Sequence, residues 1–512
     1  MHRYRALLFL CIISSVLYGT THTNKTYQAL RPTQSFYFAE PTRKIQAPHE
    51  TQSGSSLSLT PYFRCQKDRP SYYGNYFGAS SQAELPALGK IVAAPPTQPT
   101  SHGTYGYYID HRPLNVSDAL QGEALLAPSF SLTGFVATYH QNLSFFIPDL
   151  YLELQLPFEH AKTHILKRID NATSTPEGYT MLDYLEGRSL EKTGADAQEP
   201  LNAAQMWLSK NRPSYGIGDL SAELGYHLVA TKHAELSCFL KCTIPCGTRS
   251  EGVCLFEAIH GNGGHVATSI GVTGARTWQH ERITSLRGTL SCSAHYRYTF
   301  TNTQMRTLGI YNHLTSSLLP AGPYYVLGTA DNIIGVPSAV GIPAANVLTQ
   351  ECAVTPGSSF ATSLQARVDY ENFFLSYRFG LFMREAEHVA LRNTWQEGRY
   401  GILAKDASPV NVSVGSDYST VGGPLQAQGN SSDAQGVVLG ANNPLTYYVT
   451  TDACATPAAI VSSHSIESGY TFFAHSDHAT TLSCGYEIEE TLRQSNAAIP
   501  SVLFFVACKV IF

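Results

Sequence analysis

The sequence predicts an all-β protein: a transmembrane, antiparallel, up-and-down β-barrel of about 12 strands, or about 14 on an alternative count. Three observations predict it. Hydrophobicity alternates with a period of two over many segments, each of about ten residues. The connections between these segments are sorted into short and long ones in turn. Beyond the first twenty residues, no apolar run approaches the roughly 20 residues that a spanning helix needs. A chain without a helical span reaches across a bilayer only as a closed barrel, which leaves no backbone group unpaired in hydrocarbon.

Composition agrees with strands. Only 14% of the 512 residues are charged, whereas 30 are tyrosine and 40 are glycine; a typical soluble domain is about 25% charged. The formal net charge of -5 offers no basic footprint for nucleic acid. Nucleic acid is therefore not an expected partner.

In chain order, Arg3 and Arg5 precede the apolar run ALLFLCIISSVL at 6–17, with Gly19 and Thr20 after it. That is the anatomy of a secretory signal, so residues 1–20 are expected to be a signal peptide. Residues 21–54, which show no sustained period, read as a periplasmic N-terminal tail or small plug, and 55–512 as the barrel. The strand candidates are 56–65, 129–140, 149–160, 216–231, 234–246, 265–279, 284–300, 359–370, 373–385, 464–476, 480–492 and 501–512. DLYLELQLPF, for example, sets Leu150, Leu152, Leu154 and Leu156 against Tyr151, Glu153 and Gln155. The alternative count adds YYVLGTA (324–330) and TYYVTT (446–451) to the wall.

Connections after the even-numbered strands are short; 66–128, 161–215, 301–358 and 386–463 are long. Periplasmic turns and extracellular loops differ in this way in membrane barrels. Aromatic residues at strand ends (Phe63, Tyr139, Phe158, Trp278, Phe300, Tyr370, Phe373 and Phe512) suit interfacial girdles. In a membrane barrel the leucine faces meet lipid and the polar faces meet the lumen.

The chain ends SVLFFVACKVIF, with Phe504, Val506, Cys508, Val510 and Phe512 on one face of the last strand. A terminal Phe behind such an alternation resembles the C-terminal signature of outer-membrane β-barrel proteins, porin-like proteins among them. The resemblance implies a bacterial outer-membrane location, outer-membrane lipid as surroundings, and recognition of these five residues by the outer-membrane assembly machinery. LFEAIHGNGGH (255–265), GFVATYHQNL and LYLELQLPF also resemble a group of functionally uncharacterised outer-membrane proteins of host-associated bacteria; that likeness implies no activity.

With this register the lumen is expected to receive Arg64, Glu153, Glu223, Lys241, Arg287, Arg297, Arg367, Arg378, Glu467, Glu487 and Lys509 as pore-lining residues, with Asp219, Asp369, Arg384 and Glu489 beside them. Strands 7–9 carry mainly arginine and strands 10–11 mainly glutamate. Opposed walls of this kind would set a field across a pore; the alternative is that the charges pair and plug the interior.

The expected function is a porin-like channel for small hydrophilic solutes. The alternatives are a structural or host-contact surface protein with a closed lumen, and a secreted soluble all-β binding protein. The oligomeric state is left open.

No catalytic, metal or cofactor site is expected, and the protein is not expected to be an enzyme. His475, Ser476 and Asp477 are adjacent on a strand and face alternate sides, so they form no relay. His160 and His164 follow Pro157 and read as loop residues; HGNGGH (260–265) reads as a turn or loop. Cys238, Cys242 and Cys246 would lie about 13 Å apart in succession along a strand, too far for one tetrahedral ion, so they read as small apolar residues. Ten of the 11 cysteines follow the signal. Cys246 and Cys254 flank one loop and Cys352 and Cys454 sit in neighbouring long loops, where disulfides could form in an exported chain; connectivity is not readable from spacing.

Overall fold

The computed structural model describes residues 55–66, 122–170, 199–205, 213–231, 233–279, 285–312, 342–395, 447–451, 458–472, 479–491 and 501–511, together with several shorter pieces. The expected signal peptide and N-terminal tail, and Phe512, lie outside the described residues.

Twelve described strands make the wall: β1 Ser55–Gln66, β2 Gly122–Asn142, β3 Leu150–Asp170, β4 Leu220–Ala230, β5 Ala234–Ile244, β6 Ala267–Gln279, β7 Leu286–Thr299, β8 Gly357–Tyr370, β9 Phe373–Arg384, β10 Ala459–Phe472, β11 Ala479–Thr491 and β12 Ser501–Ile511. Each pairs antiparallel with its neighbours in sequence. The ring closes where the last strand meets the first, from Ser56 opposite Ile511 to Gln66 opposite Ser501. Closure removes both sheet edges and satisfies the ladder at every strand.

The two faces separate as the alternation predicts. Leu57, Leu59, Leu240, Ile270, Leu364, Leu375 and Leu482 are exposed, whereas Arg64, Glu153, Glu223, Ser291, Ser363 and Glu487 are buried. Leu240 is 60% exposed, yet sits mid-strand. An apolar belt outside a closed polar interior needs hydrocarbon around it, so the protein is a membrane-spanning β-barrel. Trp278, Phe300, Tyr370 and Phe373 are exposed near the strand ends, as girdle residues are.

Inside the wall, aromatic rings lie over glycines on the adjacent strand. Tyr62 faces Gly134, Tyr151 faces Gly225, Phe239 faces Gly271, Phe374 faces Gly469 and Phe505 faces Gly485, each directly opposite in the register. The fit is close enough that a Cβ on Gly225 would lie 2.0 Å from the Tyr151 ring. The missing side chain gives the ring its bed, and the ring covers backbone that glycine leaves bare.

The structure corrects the sequence reading at several points. The wall has the twelve strands expected, and only the alternative count of fourteen falls. Val326–Thr329 pairs with Ile342–Pro343 and Tyr400–Ile402, and Tyr447–Thr450 pairs with Gly309–Asn312 and Gln426–Ala427, all outside the barrel sheet. These pieces belong to an outer lobe built from the long connections after β7 and β9. A third small sheet there joins Asn302–Thr307, Thr349–Thr355 and His388–Leu391. Its apolar core includes Leu308, Ile310, Leu327, Leu348, Trp395 and Val449.

The β2–β3 hairpin is also longer than expected, with 21 residues in each strand. His160 and His164 are strand residues opposite Thr133 and Ser129, not loop residues. Pro157 does not end β3, because it falls where the other edge changes partner: β4 pairs with Leu150–Gln155, and the short strand Ser214–Ile217 pairs with Phe158–Ala161. A proline without an N–H is tolerated in that gap.

Candidate channel lumen

A strand presents every second side chain to the lumen, so inward charge depends on parity and on height along the strand. On one wall Glu153 of β3 lies opposite Glu223 of β4, and Glu223 opposite Lys241 of β5. Gln155 knits them together: its Nε2 donates to Glu153 Oε1 at 2.9 Å, and its Oε1 accepts from Lys241 Nζ at 3.3 Å and Ser221 Oγ at 3.2 Å. Tyr151 donates to Glu223 Oε1 at 3.2 Å while its ring lies over Gly225.

The other wall carries ion pairs that each step over one strand. Arg378 of β9 donates directly to Glu487 of β11 across β10, and Glu487 is 0% exposed. Arg64 of β1 lies 3.5 Å from Glu489 of β11 across β12, and Glu489 also accepts from Ser501 Oγ at 2.7 Å. The arginine-bearing and glutamate-bearing strands are thus near neighbours in the ring rather than opposed walls, and their pairing cancels much of the transverse field that opposed walls would create.

The remaining expected residues are placed as follows. Arg297 is buried. Arg367 is half-buried, holds Asp369 Oδ1 at 2.6 Å and stacks on the Phe374 ring at 4.0 Å. Glu467 accepts from Ser483 Oγ at 2.7 Å. Lys509 is half-buried on the inward side of β12. Arg287 has the inward parity but is exposed, because it stands one residue from the start of β7 at the short-turn rim.

Phe504, Val506, Cys508 and Val510 all face outward and exposed. Of the ten described cysteines, Cys65, Cys238, Cys242, Cys292, Cys484 and Cys508 share this lipid-facing side of their strands. Cys246 lies beyond the end of β5 rather than in it.

The sequence reading missed the role of the connection 245–266. This segment folds against the inner wall instead of standing clear of it. Gly261 N donates to Glu159 Oε2 at 2.7 Å, Asn262 N to Asp219 Oδ2 at 2.7 Å and Gly247 N to Asp219 Oδ1 at 3.3 Å. His265 Nδ1 lies 2.9 Å from Phe300 O, and Gln304 Nε2 donates to Gly263 O at 2.7 Å. Gly261, Gly263 and Gly264 have φ of 73°, 65° and 80°. The glycines of HGNGGH were therefore a readable turn signal, but nothing in the sequence gave the carboxylates that receive the turn.

Ser214 Oγ is 2.7 Å from His260 Nδ1 in the same region. Gly216 lies against His260 Nε2 on the other side of the ring, where a Cβ would be 2.8 Å away, so a side chain at 216 would displace the imidazole. Burial lowers the pKa of His260 and nearby Asp219 partly offsets this. Beside this pair is a cavity of about 200 Å³ lined by Thr163, Ser214, Thr248, Arg249, Glu257 and Ile259.

Fold and interior together define the class: the protein is a membrane-spanning β-barrel with short turns on one rim and a folded lobe on the other. No family model and no curated protein matches the chain. Among solved structures it is similar to an outer membrane channel from Pseudomonas putida F1, at 9% identity over 90% of this chain and 96% of that one, with a TM-score of 0.34. It is also similar to the transport unit of the autotransporter AIDA-I from Escherichia coli, at 7% identity over 94% and 99% and a TM-score of 0.30. A FadL homologue from Pseudomonas aeruginosa matches at 7% identity over 96% of each chain, with a TM-score of 0.27. The fold itself stands on the strand pairing.

Proposed function

We propose that the protein is a porin-like outer-membrane channel for small hydrophilic solutes, narrowed in this conformation by paired charges and by the segment 245–266. The observation that carries this reading is the chemistry of the inner face. Ser56, Thr60, Ser221, Ser269, Ser291, Ser363 and Ser465 are small polar residues turned inward, alongside the lumenal arginines and glutamates. Such a surface suits water and hydrophilic solutes once the narrowing relaxes, and disfavours apolar ones. The eleven expected pore-lining residues, Arg287 at the rim included, form the charged part of the solute path.

Purified protein in planar bilayers tests the proposal. Stable single-channel openings are expected; repeated insertion without any conductance step would defeat it. That second outcome would favour a structural or host-contact surface protein with a closed lumen. The observation on its side is the near-complete burial of lumenal charges such as Glu487, together with an outer lobe that has its own core. The outward row Phe504, Val506, Cys508 and Val510, with Phe512 after it in the sequence, is proposed as the strip read by the outer-membrane assembly machinery.

A further inference from the structure

We propose that Cys352 and Cys454 form a disulfide in the exported protein, a covalent staple between the two long connections that build the outer lobe. The pair is set apart by position. Six of the described cysteines face lipid on wall strands, and no two of these are opposite each other in the strand register. Cys352 and Cys454 instead come from different connections, 300–356 and 385–458, and meet inside one apolar core with Leu348, Val354, Val389 and Trp395. They are 0% and 1% exposed, and their thiols are within hydrogen-bonding reach of each other.

The same two connections are also tied by charge at this spot. Arg306, from the first connection, donates through Nη1 to Cys454 O at 3.1 Å and approaches Glu387 Oε2, from the second, at 3.4 Å. Glu387 Oε2 in turn accepts from Thr456 N at 3.1 Å. The backbone around both sulfurs is therefore fixed by neighbouring groups. In the closed lobe the hydrogen bond from Cys454, helped by the Arg306 charge, lowers the pKa of Cys352.

The oxidant is a protein disulfide of an exported thiol oxidoreductase. The Cys352 thiolate attacks one sulfur of that disulfide, forming a mixed disulfide and releasing the first oxidant thiolate. Cys454, after losing its proton, attacks the Cys352 sulfur and expels the second. Two thiols of this chain lose two protons and two electrons, and the oxidant disulfide becomes a dithiol. Both sulfurs are out of solvent in the finished lobe, so the exchange takes place as the connections meet, before Leu348 and Trp395 close over them.

The full-length protein recovered from outer membranes provides the test. It is denatured without reductant in excess N-ethylmaleimide, digested and analysed by mass spectrometry. The expected result is a cross-linked peptide joining Cys352 to Cys454, absent after reduction and absent from C352S. Maleimide on both cysteines in the unreduced sample, or either cysteine joined to a different partner, would overturn the proposal. Because the wild-type chain gives the answer, the result does not depend on whether a cysteine variant folds.

Discussion

At the scale of single residues, parity decides nearly everything and height decides the rest. Arg64 and Phe63 are neighbours in the chain, yet one is buried with Glu489 and the other is exposed toward lipid. This much was legible in the sequence, because a strand turns successive side chains to opposite faces. The partner of Arg378 was not legible: Glu487 reaches it only because the intervening β10 brings β9 and β11 to one register, and register depends on the whole ring. Arg287 shows the other limit, since the same parity at a rim gives exposure. The aromatic–glycine pairs yield a direct test at this scale. In G225A the new Cβ meets the Tyr151 ring, which must leave its bed and loosen the bond to Glu223. A loss of about 1–3 kcal/mol, typical of overpacking, is expected in denaturant unfolding of the detergent-solubilised barrel. The double variant G225A/Y151A is expected to recover part of that loss; if G225A unfolds like wild type, the ring is not seated as described.

At the scale of elements, wall strands were readable and connections were not. A strand announces itself by alternation, whereas a connection is shaped by distant acceptors: the turn at 260–265 is held by Glu159 and Asp219, which lie 102 and 43 positions away from their donors in the chain. The strands Val326–Thr329 and Tyr447–Thr450 looked like wall strands for the same reason, since four alternating residues do not say which sheet they join. The docking of 245–266 carries a pH dependence with a definite sign. His260 has its pKa lowered from 6.5, chiefly by burial, so the docked segment prefers the neutral ring and the released one takes up a proton more readily. Docking is therefore at full strength well above pH 6.5 and weakens as pH falls through that value toward the lower docked-state pKa. Amide hydrogen exchange over 245–266 is expected to accelerate between pH 7.5 and pH 5.5 beyond the intrinsic chemical trend, and H260Q is expected to flatten that change. Equal protection at both pH values in the wild type would contradict it. Asp219 and Glu159 also face this segment; burial raises the pKa of Asp219 in the docked state, so its proton uptake opposes this weakening, and because H260Q leaves both carboxylates in place, the difference between the two proteins isolates the ring.

At the scale of the whole molecule, the barrel class was readable because three independent patterns agreed: alternation, sorted connections and the absence of a helical span. The count of twelve strands was readable with it; closure followed only when β12 was seen to pair with β1. What makes this a membrane protein rather than a soluble β-barrel is the medium on the leucine side, and one substitution distinguishes the two. Leu240 is mid-strand, points outward and is 60% exposed. On a soluble protein, arginine at so exposed a place would cost within about 0.5 kcal/mol, as most surface changes do. On a barrel in hydrocarbon it costs about 2–4 kcal/mol near the bilayer midplane, because the guanidinium must give up water without gaining a partner. Val510, on the same outward side but close to the end of β12, is expected to tolerate arginine far better, since interfacial water is near. Unfolding titrations of L240R and V510R in lipid vesicles should therefore show a large loss for the first and a small one for the second. Equal, small losses would mean that water rather than lipid bathes this face, and the membrane assignment would fall with it.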